Sequence, residues 1–262
     1  MAKIYYLGTC SGTEPMVGMH HCSWILEVNG AIYWFDAGEG CMHTAYTGGI
    51  DIMQTRALFV THPHIDHIGG LPLLLFGINK MEARYSKVLP CDNTLRVFFP
   101  EPRVFDAIMT VTAGKQGGKL KFDIDLSVPE DGVIFSDENV TVTALHNRHL
   151  KEDGADGVWH SFSYLIQCEG KRFVFSGDVA SLTEVDDLIG DGAELLITET
   201  GHHRVADVCS YAASRNIKNL RFIHHGREIL EGREQAERYV SAFAAAKGFS
   251  AVICRDGTWD EI

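Results

Sequence analysis

Four residues that can bind a metal ion fall within six positions of ALFVTHPHIDHIGG, residues 57–70. They are His62, His64, Asp66 and His67. His62 and His64 are two positions apart, so an extended segment would point both imidazoles to the same side. Imidazoles suit Zn, Fe or Mn, and a nearby carboxylate adds charge for a second cation. A single histidine is usually structural, but four such residues this close together predict a metal site.

The surrounding pattern predicts the elements that would position these side chains. ALFVT (57–61) is a short apolar run, as expected of a strand buried on both faces. Apolar residues then recur at helical spacing from Ile68 to Met81, with Pro72 in the first turn, where its missing N–H is tolerated. The four side chains would therefore lie where a buried strand ends and a helix begins.

In the rest of the chain, strand patterns are followed by helix patterns, and this arrangement occurs twice, roughly once in each half. Helices are predicted at about 68–81, 102–113, 204–215 and 233–247. Strands are predicted at 3–8, 23–28, 31–36, 57–61, 95–99, 121–126, 140–145, 162–168, 171–178, 194–200, 220–225 and 250–256. This organisation favours two sheets packed face to face with helices outside, in a single domain that spans residues 1–262.

Net charge, cysteine spacing and the length of apolar runs indicate which partners and which cellular location to expect. The formal net charge is -12 and no Lys/Arg-rich run occurs, which disfavours extended nucleic-acid binding. The seven cysteines are scattered without a CxxC pair, which fits a reducing cytoplasm. No apolar run approaches the ~20 residues needed to span a bilayer. We therefore expect a soluble, cytoplasmic protein without a membrane partner.

HPHIDHIGG matches the HxHxDH signature of the metallo-β-lactamase superfamily, and other segments resemble its ribonuclease Z-like branch in the same order. These segments are YLGTCSGTEP (6–15), WFDAGEG (34–40), FSGD (175–178) and the closing DGTWDEI. The resemblance covers nearly the whole chain. It implies an α/β (α+β) fold of four layers, an αββα sandwich of two mixed β-sheets flanked by helices. Its motifs are far more specific for this fold and its metal site than for a substrate.

The resemblance also implies two divalent metal ions, with zinc as the first choice and manganese or iron as alternatives. The implied ligands are His62, His64, Asp66, His67, His149, Asp178 and His224. Asp178 matches the carboxylate that both metals share, and Asp36 matches a buried supporting residue.

Two of these ligands have a neighbouring alternative. VTVTALHNRH offers His146 as well as His149, and the family spacing from the preceding strand favours His149. LRFIHHG offers His225 as well as His224, and strand alternation together with the family pattern favours His224.

The implied activity is that of a binuclear metal-dependent hydrolase that uses a metal-bridging hydroxide. Asp66 would orient the nucleophile, and His202 matches a histidine that serves as the proton donor in ribonuclease Z-like proteins. A small or nucleotide-like phosphodiester, cyclic nucleotides included, is the first substrate class. Alternatives are another ester, such as a thioester, sulfate ester or lactone, a ribonuclease Z-type RNA endonuclease, and a non-catalytic metal-binding protein.

The chain departs from transfer-RNA-processing relatives between His149 and Asp178. These residues are only 29 positions apart, whereas the bacterial branch usually carries a long arm there. The acidic loop at 150–161, with Glu152, Asp153 and Asp156, is poorly suited to hold RNA. We therefore expect a small ester substrate, and a homodimer is the assembly that the resemblance suggests.

Overall fold

The computed structural model describes residues 2–150 and 158–262. The acidic residues of the 150–161 loop lie outside these described residues. The chain forms two compact units. Unit 1 comprises Met1–Gly8, Val17–Pro129 and Asp256–Ile262, and unit 2 comprises Thr9–Met16 and Glu130–Arg255. The assignment of residues 1–262 to a single domain stays a prediction.

The described residues contain the following strands: β1 (Ala2–Gly8), β2 (Ser23–Val28), β3 (Ala31–Phe35), β4 (Thr55–Phe59), β5 (Thr94–Phe98), β6 (Asp123–Ser127), β7 (Gly132–Ser136), β8 (Val140–His146), β9 (Phe162–Cys168), β10 (Lys171–Phe175), β11 (Ala193–Glu199), β12 (Ile217–Ile223), β13 (Ser250–Ile253) and β14 (Thr258–Glu261). The helices are α1 (Cys41–Thr47), α2 (Ile65–Ile68), α3 (Leu71–Tyr85), α4 (Pro90–Asn93), α5 (Pro102–Ala113), α6 (Asp186–Ile189), α7 (Val205–Ser214), α8 (Arg227–Leu230) and α9 (Arg233–Lys247). Two short 3₁₀ turns lie at Ile52–Gln54 and Leu182–Val185.

Unit 1 contains a seven-stranded mixed sheet in the order β14-β1-β2-β3-β4-β5-β6. The strands from β14 to β3 pair antiparallel, and those from β3 to β6 pair parallel. Asn29 and Gly30 join β2 to β3 with φ values of 52° and 80°. Positive φ at both central residues is what a tight hairpin turn of this kind requires.

Helices α1, α3 and α5 pack on this sheet through one apolar cluster. The buried residues of α3 are Leu71, Leu74, Leu75 and Ile78, which recur at the spacing of one helix face. Each buried side chain of this size contributes about 1.5–3 kcal/mol of transfer free energy. That stripe fixes α3, and with it the turn that carries the histidines before it.

Unit 2 contains a second seven-stranded mixed sheet, in the order β13-β12-β11-β10-β9-β8-β7. Strands β10 to β13 pair parallel, and β7 to β10 pair antiparallel. The carboxyl ends of β8, β10, β11 and β12 therefore meet at one edge of the sheet. Helices α7 and α9 pack on this sheet through their own apolar cluster.

The predicted fold class is confirmed, because the two sheets are mixed and each carries its own helices. Most predicted elements are present, but the sequence patterns do not predict β7 or the short helices α1, α4, α6 and α8. The helix expected at 68–81 is split into the single turn of α2 and the longer α3. The strand expected at 220–225 ends at Ile223, because His224 has a φ of 48° and leaves the extended conformation. Within the described residues, every helix is too short or too polar to cross a membrane.

Candidate metal centre

The first cluster of predicted ligands lies in unit 1, directly after β4. His62 is buried and His64, the N-cap of α2, is exposed with extended backbone angles of -64° and 146°. The His62 Nε2 and His64 Nδ1 atoms lie 3.0 Å apart, and the two rings are 77° from parallel. The extended backbone thus points both imidazoles to one side, as the two-residue spacing predicts.

Asp36 holds the second half of this cluster in place. It is buried after β3 with a φ of 57°, a left-handed conformation that Asp tolerates better than most residues. Its carboxylate accepts hydrogen bonds from the Thr61 backbone N–H at 2.7 Å and from the Thr61 hydroxyl at 2.9 Å, and its Oδ2 lies 2.7 Å from His67 Nδ1. Burial raises the pKa of Asp36 above its ordinary value, and the contact with His67 opposes that shift.

The other ring nitrogen of His67, Nε2, lies 3.5 Å from the Asp66 carboxylate. A metal-bound histidine usually donates its other ring N–H to a carboxylate, which orients the nitrogen that binds the metal. Asp36 therefore has the position expected of the supporting residue that the sequence predicts.

Glycine brings the Asp36 turn close to the histidine segment. The Ala37 N–H donates to the His67 carbonyl at 2.7 Å, and the Gly70 N–H donates to the Ala37 carbonyl at 2.8 Å. A Cβ on Gly70 would lie 2.2 Å from the Gly38 carbonyl oxygen, so no other residue fits there without moving the backbone. The glycines after the histidines are thus needed for a close approach of two chain segments.

The second cluster lies in unit 2, at the edge where β10, β11 and β12 end. Asp178, Glu199, His202 and His224 each place a ligand atom within 4.8 Å of the others. His224 Nδ1 is 3.3 Å from Asp178 Oδ1 and 3.8 Å from Glu199 Oε2. Three of these four were predicted from the sequence, and the structure brings them together.

The structure places the two candidate histidines after β8 in different surroundings. His149 Nε2 lies 3.7 Å from Asp178 Oδ2, and the Asn147 side chain accepts a hydrogen bond from the His149 backbone N–H at 3.1 Å. His146 instead has its Nδ1 2.6 Å from the Asp131 carboxylate and stacks on Trp159. His149 as a ligand stays a prediction, and its position beside Asp178 supports it.

The two candidate histidines after β12 also differ. His224 faces Asp178, whereas His225 is fully buried with its Nε2 2.9 Å from the Cys254 carbonyl oxygen. Burial lowers the pKa of His225 to about 3, which keeps that imidazole neutral. These positions support the prediction of His224.

Glu199 is a member of this cluster that the sequence analysis missed. It ends β11, is 1% exposed, and lies one residue before the turn that carries His202. Its carboxylate accepts hydrogen bonds from the backbone N–H groups of Val179 at 3.1 Å and His202 at 2.7 Å. His202 Nδ1 lies 2.9 Å from both carboxylate oxygens. The available signal was an acidic residue at the end of an apolar strand, ELLITET, where burial without a partner would be costly.

Glu199 and His202 shift one another's pKa in opposite directions. Burial pushes the pKa of Glu199 upwards, but the hydrogen bond from His202 and the attraction of His224 outweigh it, so the net pKa is below the ordinary value. The hydrogen bond to Glu199 raises the pKa of His202. The pair thus favours an ionised carboxylate beside a protonated imidazole.

The absence of a side chain at Gly201 allows the backbone to lie close to His224 and Glu199. A Cβ on Gly201 would lie 2.7 Å from His224 Nδ1, 2.8 Å from His224 Cε1 and 3.3 Å from Glu199 Oε2. His224 itself has a φ of 48°, a left-handed conformation that costs a non-glycine residue about 1–2 kcal/mol. Strain of this kind is kept where the surrounding structure fixes a functional side chain.

The donors of both clusters suit a divalent metal ion. Each cluster combines imidazole nitrogens with carboxylate oxygens, and each contains a buried carboxylate that orients an imidazole, Asp36 in unit 1 and Glu199 in unit 2. Zinc, manganese and iron all accept this mixture of ligands. The residues present therefore fit the metal ions that the fold implies.

Comparisons with known proteins show the family to which this chain belongs. The family model described as "Anti-Pycsar protein Apyc1" matches residues 2–201. The chain belongs to this family. It is also 39% identical over 281 residues to a ribonuclease Z from Methanothermobacter thermautotrophicus, and the alignment covers 86% of each chain. The protein is thus a ribonuclease Z-like member of the metallo-β-lactamase superfamily and a metal-dependent hydrolase, as the sequence predicts.

Solved structures confirm the fold of this Apyc1 family member along its whole length. The metallo-β-lactamase fold protein YhfI from Bacillus subtilis superposes with a TM-score of 0.75 at 15% identity, over 100% of this chain and 99% of that one. Zn²⁺-bound PqqB from Methylobacterium extorquens superposes with a TM-score of 0.66 at 14% identity, over 99% of this chain and 100% of that one.

Proposed function

We propose that this protein is a phosphodiesterase that uses two divalent metal ions to hydrolyse a small nucleotide-like phosphodiester, such as a cyclic nucleotide. The observation that carries the proposal is the pair formed by Glu199 and His202 beside Asp178. His202 Nδ1 is 3.7 Å from Asp178 Oδ2, and the His202 side chain is 45% exposed, so substrate can reach it. A protonated imidazole at that position is what the departure of a poor leaving group, such as a ribose oxygen, requires.

We propose as metal ligands the same residues that the family resemblance implies. They are His62, His64, Asp66, His67, His149, Asp178 and His224. Two bound divalent ions would lower the pKa of water and neutralise charge that develops on the phosphoryl oxygens. Zinc is the first choice, because imidazole and carboxylate suit it and because PqqB of the same fold was solved with Zn²⁺.

Two side chains of the protein would then each transfer one proton. The Asp66 carboxylate, which is buried and 3.5 Å from His67, would accept the proton of the attacking water. His202 would donate a proton to the leaving oxygen. Glu199 keeps His202 ready for that step, because the hydrogen bond between them raises the pKa of the imidazole.

The short chain segment before Asp178 favours a small substrate. Only 29 positions separate His149 from Asp178, and β9 and β10 occupy residues 162–168 and 171–175 of that interval. This leaves little chain for an RNA-binding arm, and the net charge of -12 is unfavourable for a long polyanion. The family is named for an anti-Pycsar protein, Apyc1, and we propose an anti-Pycsar role for this chain as well.

Cleavage of RNA is a second candidate function, because the 39% identical relative is named ribonuclease Z. It predicts that a precursor transfer RNA is cut at a single position, whereas the small-diester proposal predicts little or no cleavage of that RNA. The other ester classes, such as thioesters and lactones, share the metal centre and are distinguished by substrate alone.

A substrate panel tests these candidates. Metal-depleted protein is given Zn, Mn or Fe separately and assayed on bis(4-nitrophenyl) phosphate, on cyclic nucleotides with each base, on a precursor transfer RNA, and on a thioester and a lactone. His64→Ala and Asp178→Ala are the controls, and circular dichroism checks that both are folded. We expect metal-dependent hydrolysis of cyclic nucleotides that both variants lose. Hydrolysis of the RNA or the other esters alone, or full activity of Asp178→Ala, would contradict the proposal.

Cytoplasmic location and a homodimer stay predictions from the sequence.

A further inference from the structure

A stacked pair of rings in unit 2 is not explained by the metal centre. Trp159 and His146 lie with ring centroids 3.9 Å apart and planes 20° from parallel. Asp131 fixes His146 twice, since its Oδ1 accepts from the His146 backbone N–H at 2.7 Å and its Oδ2 lies 2.6 Å from His146 Nδ1. The imidazole behind Trp159 is thus held in a defined orientation, which makes the pair a rigid platform.

The platform lies at the edge of the sheet that carries the second ligand cluster. His146 ends β8, whose carboxyl end lies at the same edge as those of β10, β11 and β12. The next residue, Asn147, donates its N–H to the Ser161 carbonyl at 2.9 Å, which brings the segment of Trp159 alongside. His149 is three residues beyond His146, so their Cα atoms are no more than about 11 Å apart. His149 in turn lies 3.7 Å from Asp178.

Trp159 differs from the structural tryptophans of this chain. Trp34 is fully buried and donates its indole N–H to Thr55 at 2.9 Å. Trp159 is partly exposed, and one face of its ring stacks on His146. A partly exposed tryptophan that stacks on a fixed ring, at the same sheet edge as the proposed phosphodiesterase centre, has the features of a surface on which bases stack.

We propose that Trp159, supported by His146, stacks on the base of the substrate and so makes the enzyme select nucleotides over diesters that lack a base. This inference rests on the proposed phosphodiesterase function. Stacking on an aromatic side chain is tolerant of base identity because every base has a π face. The platform therefore selects for a planar base in general, and discrimination among bases comes from other groups.

The test compares a cyclic nucleotide with a cyclic ribose phosphate that lacks a base. The variants are Trp159→Ala, Trp159→Leu and Trp159→Phe, and the matched control is Trp259→Ala, which removes an exposed tryptophan from β14 of unit 1. From the usual strength of base–aromatic stacking, we expect Trp159→Ala and Trp159→Leu to lower kcat/KM for the nucleotide about 5- to 150-fold through KM. Their kcat/KM for the base-free diester is unchanged, Trp159→Phe retains most nucleotide activity, and Trp259→Ala changes neither.

A binding experiment reads the platform without turnover. Calorimetric titration with nucleoside monophosphates and with ribose phosphate should show weaker nucleotide binding in Trp159→Ala. In a separate fluorescence titration, nucleotide should quench the tryptophan emission of the wild type, and this quenching should be lost in Trp159→Phe. Equal losses on both diesters, or unchanged nucleotide binding in Trp159→Ala and Trp159→Leu, would overturn the platform and assign Trp159 a structural role. If the wild type hydrolyses neither diester, the proposed function fails and the titration alone decides the platform.

Discussion

A single methyl group at Gly201 should disable the second cluster without replacing any of the proposed ligands. Gly201→Ala places a Cβ 2.7 Å from His224 Nδ1 and 2.8 Å from His224 Cε1. Ordinary contacts of a Cβ begin near 3.4 Å. The new Cβ would lie 2.7 Å from His224 Nδ1, which is about 0.7 Å closer than an ordinary contact at 3.4 Å. The His224 ring must therefore shift by about 0.7 Å, or Gly201 must move away from Glu199 and His202.

Either movement should weaken metal binding. The bond from zinc to an imidazole nitrogen is about 2.0–2.1 Å long, and a displacement of about 0.7 Å is too large for that bond to absorb. Changes in residues that only support metal ligands typically cost about 10- to 100-fold in metal affinity or activity. We expect a loss of this size in metal affinity and a loss of about 100-fold in kcat, because misplacement near 1 Å can cost that much.

Competition with a chelator, followed by elemental analysis of the protein, measures the metal affinity and the number of ions bound. Turnover of a diester is measured in parallel, and thermal unfolding of the metal-free protein checks the fold. The matched control is Gly232→Ala, where the nearest atom to a new Cβ is the Glu228 carbonyl oxygen at 3.1 Å, away from the cluster. If Gly201→Ala binds two ions as tightly as the wild type and turns over normally, the assignment of His224 as a ligand is refuted.

Two further predictions concern the proton donor and the choice between neighbouring histidines. Because the hydrogen bond that His202 donates to Glu199 raises the pKa of His202, Glu199→Gln should lower that pKa, and loss of the protonated form should begin at a lower pH. The alkaline limb of kcat/KM for a poor leaving group should therefore move to lower pH, and an unmoved limb would argue against His202 as the acid. His149→Ala should lose metal ions in elemental analysis, whereas His146→Phe, which keeps a ring against Trp159, should retain them. Loss of metal from His146→Phe alone would assign the ligand to His146 instead.

The sequence could predict that the candidate ligands of unit 1 lie together, because these residues are close along the chain. An apolar strand, two histidines two positions apart and a turn into a helix determine the directions of the side chains by local geometry alone. The support from Asp36 was predicted only through the resemblance, since that residue is 31 positions from His67 and meets it through the parallel pairing of β3 with β4.

The ligand cluster of unit 2 was harder to predict because four different segments contribute to it. Strand alternation cannot decide between His224 and His225 once the strand ends at Ile223 and His224 adopts a positive φ. The choice depends on the carbonyl of Cys254, which occupies His225, and on Asp178, which faces His224. Both partners lie far away in the sequence, so local patterns carry no information about them.

Glu199 shows most clearly what a list of metal ligands leaves out. It contacts the backbone of Val179, next to Asp178, as well as the backbone and ring of His202, and it lies 3.8 Å from His224. One buried carboxylate thus contacts the loop of Asp178, the proposed bridging ligand, and lies against His202 and His224, the proposed proton donor and metal ligand. Removing its charge should affect all three, whereas removing His202 should affect only proton transfer. For this reason Glu199→Gln should lower metal affinity as well as shift the pH profile, and His202→Ala should leave metal affinity unchanged.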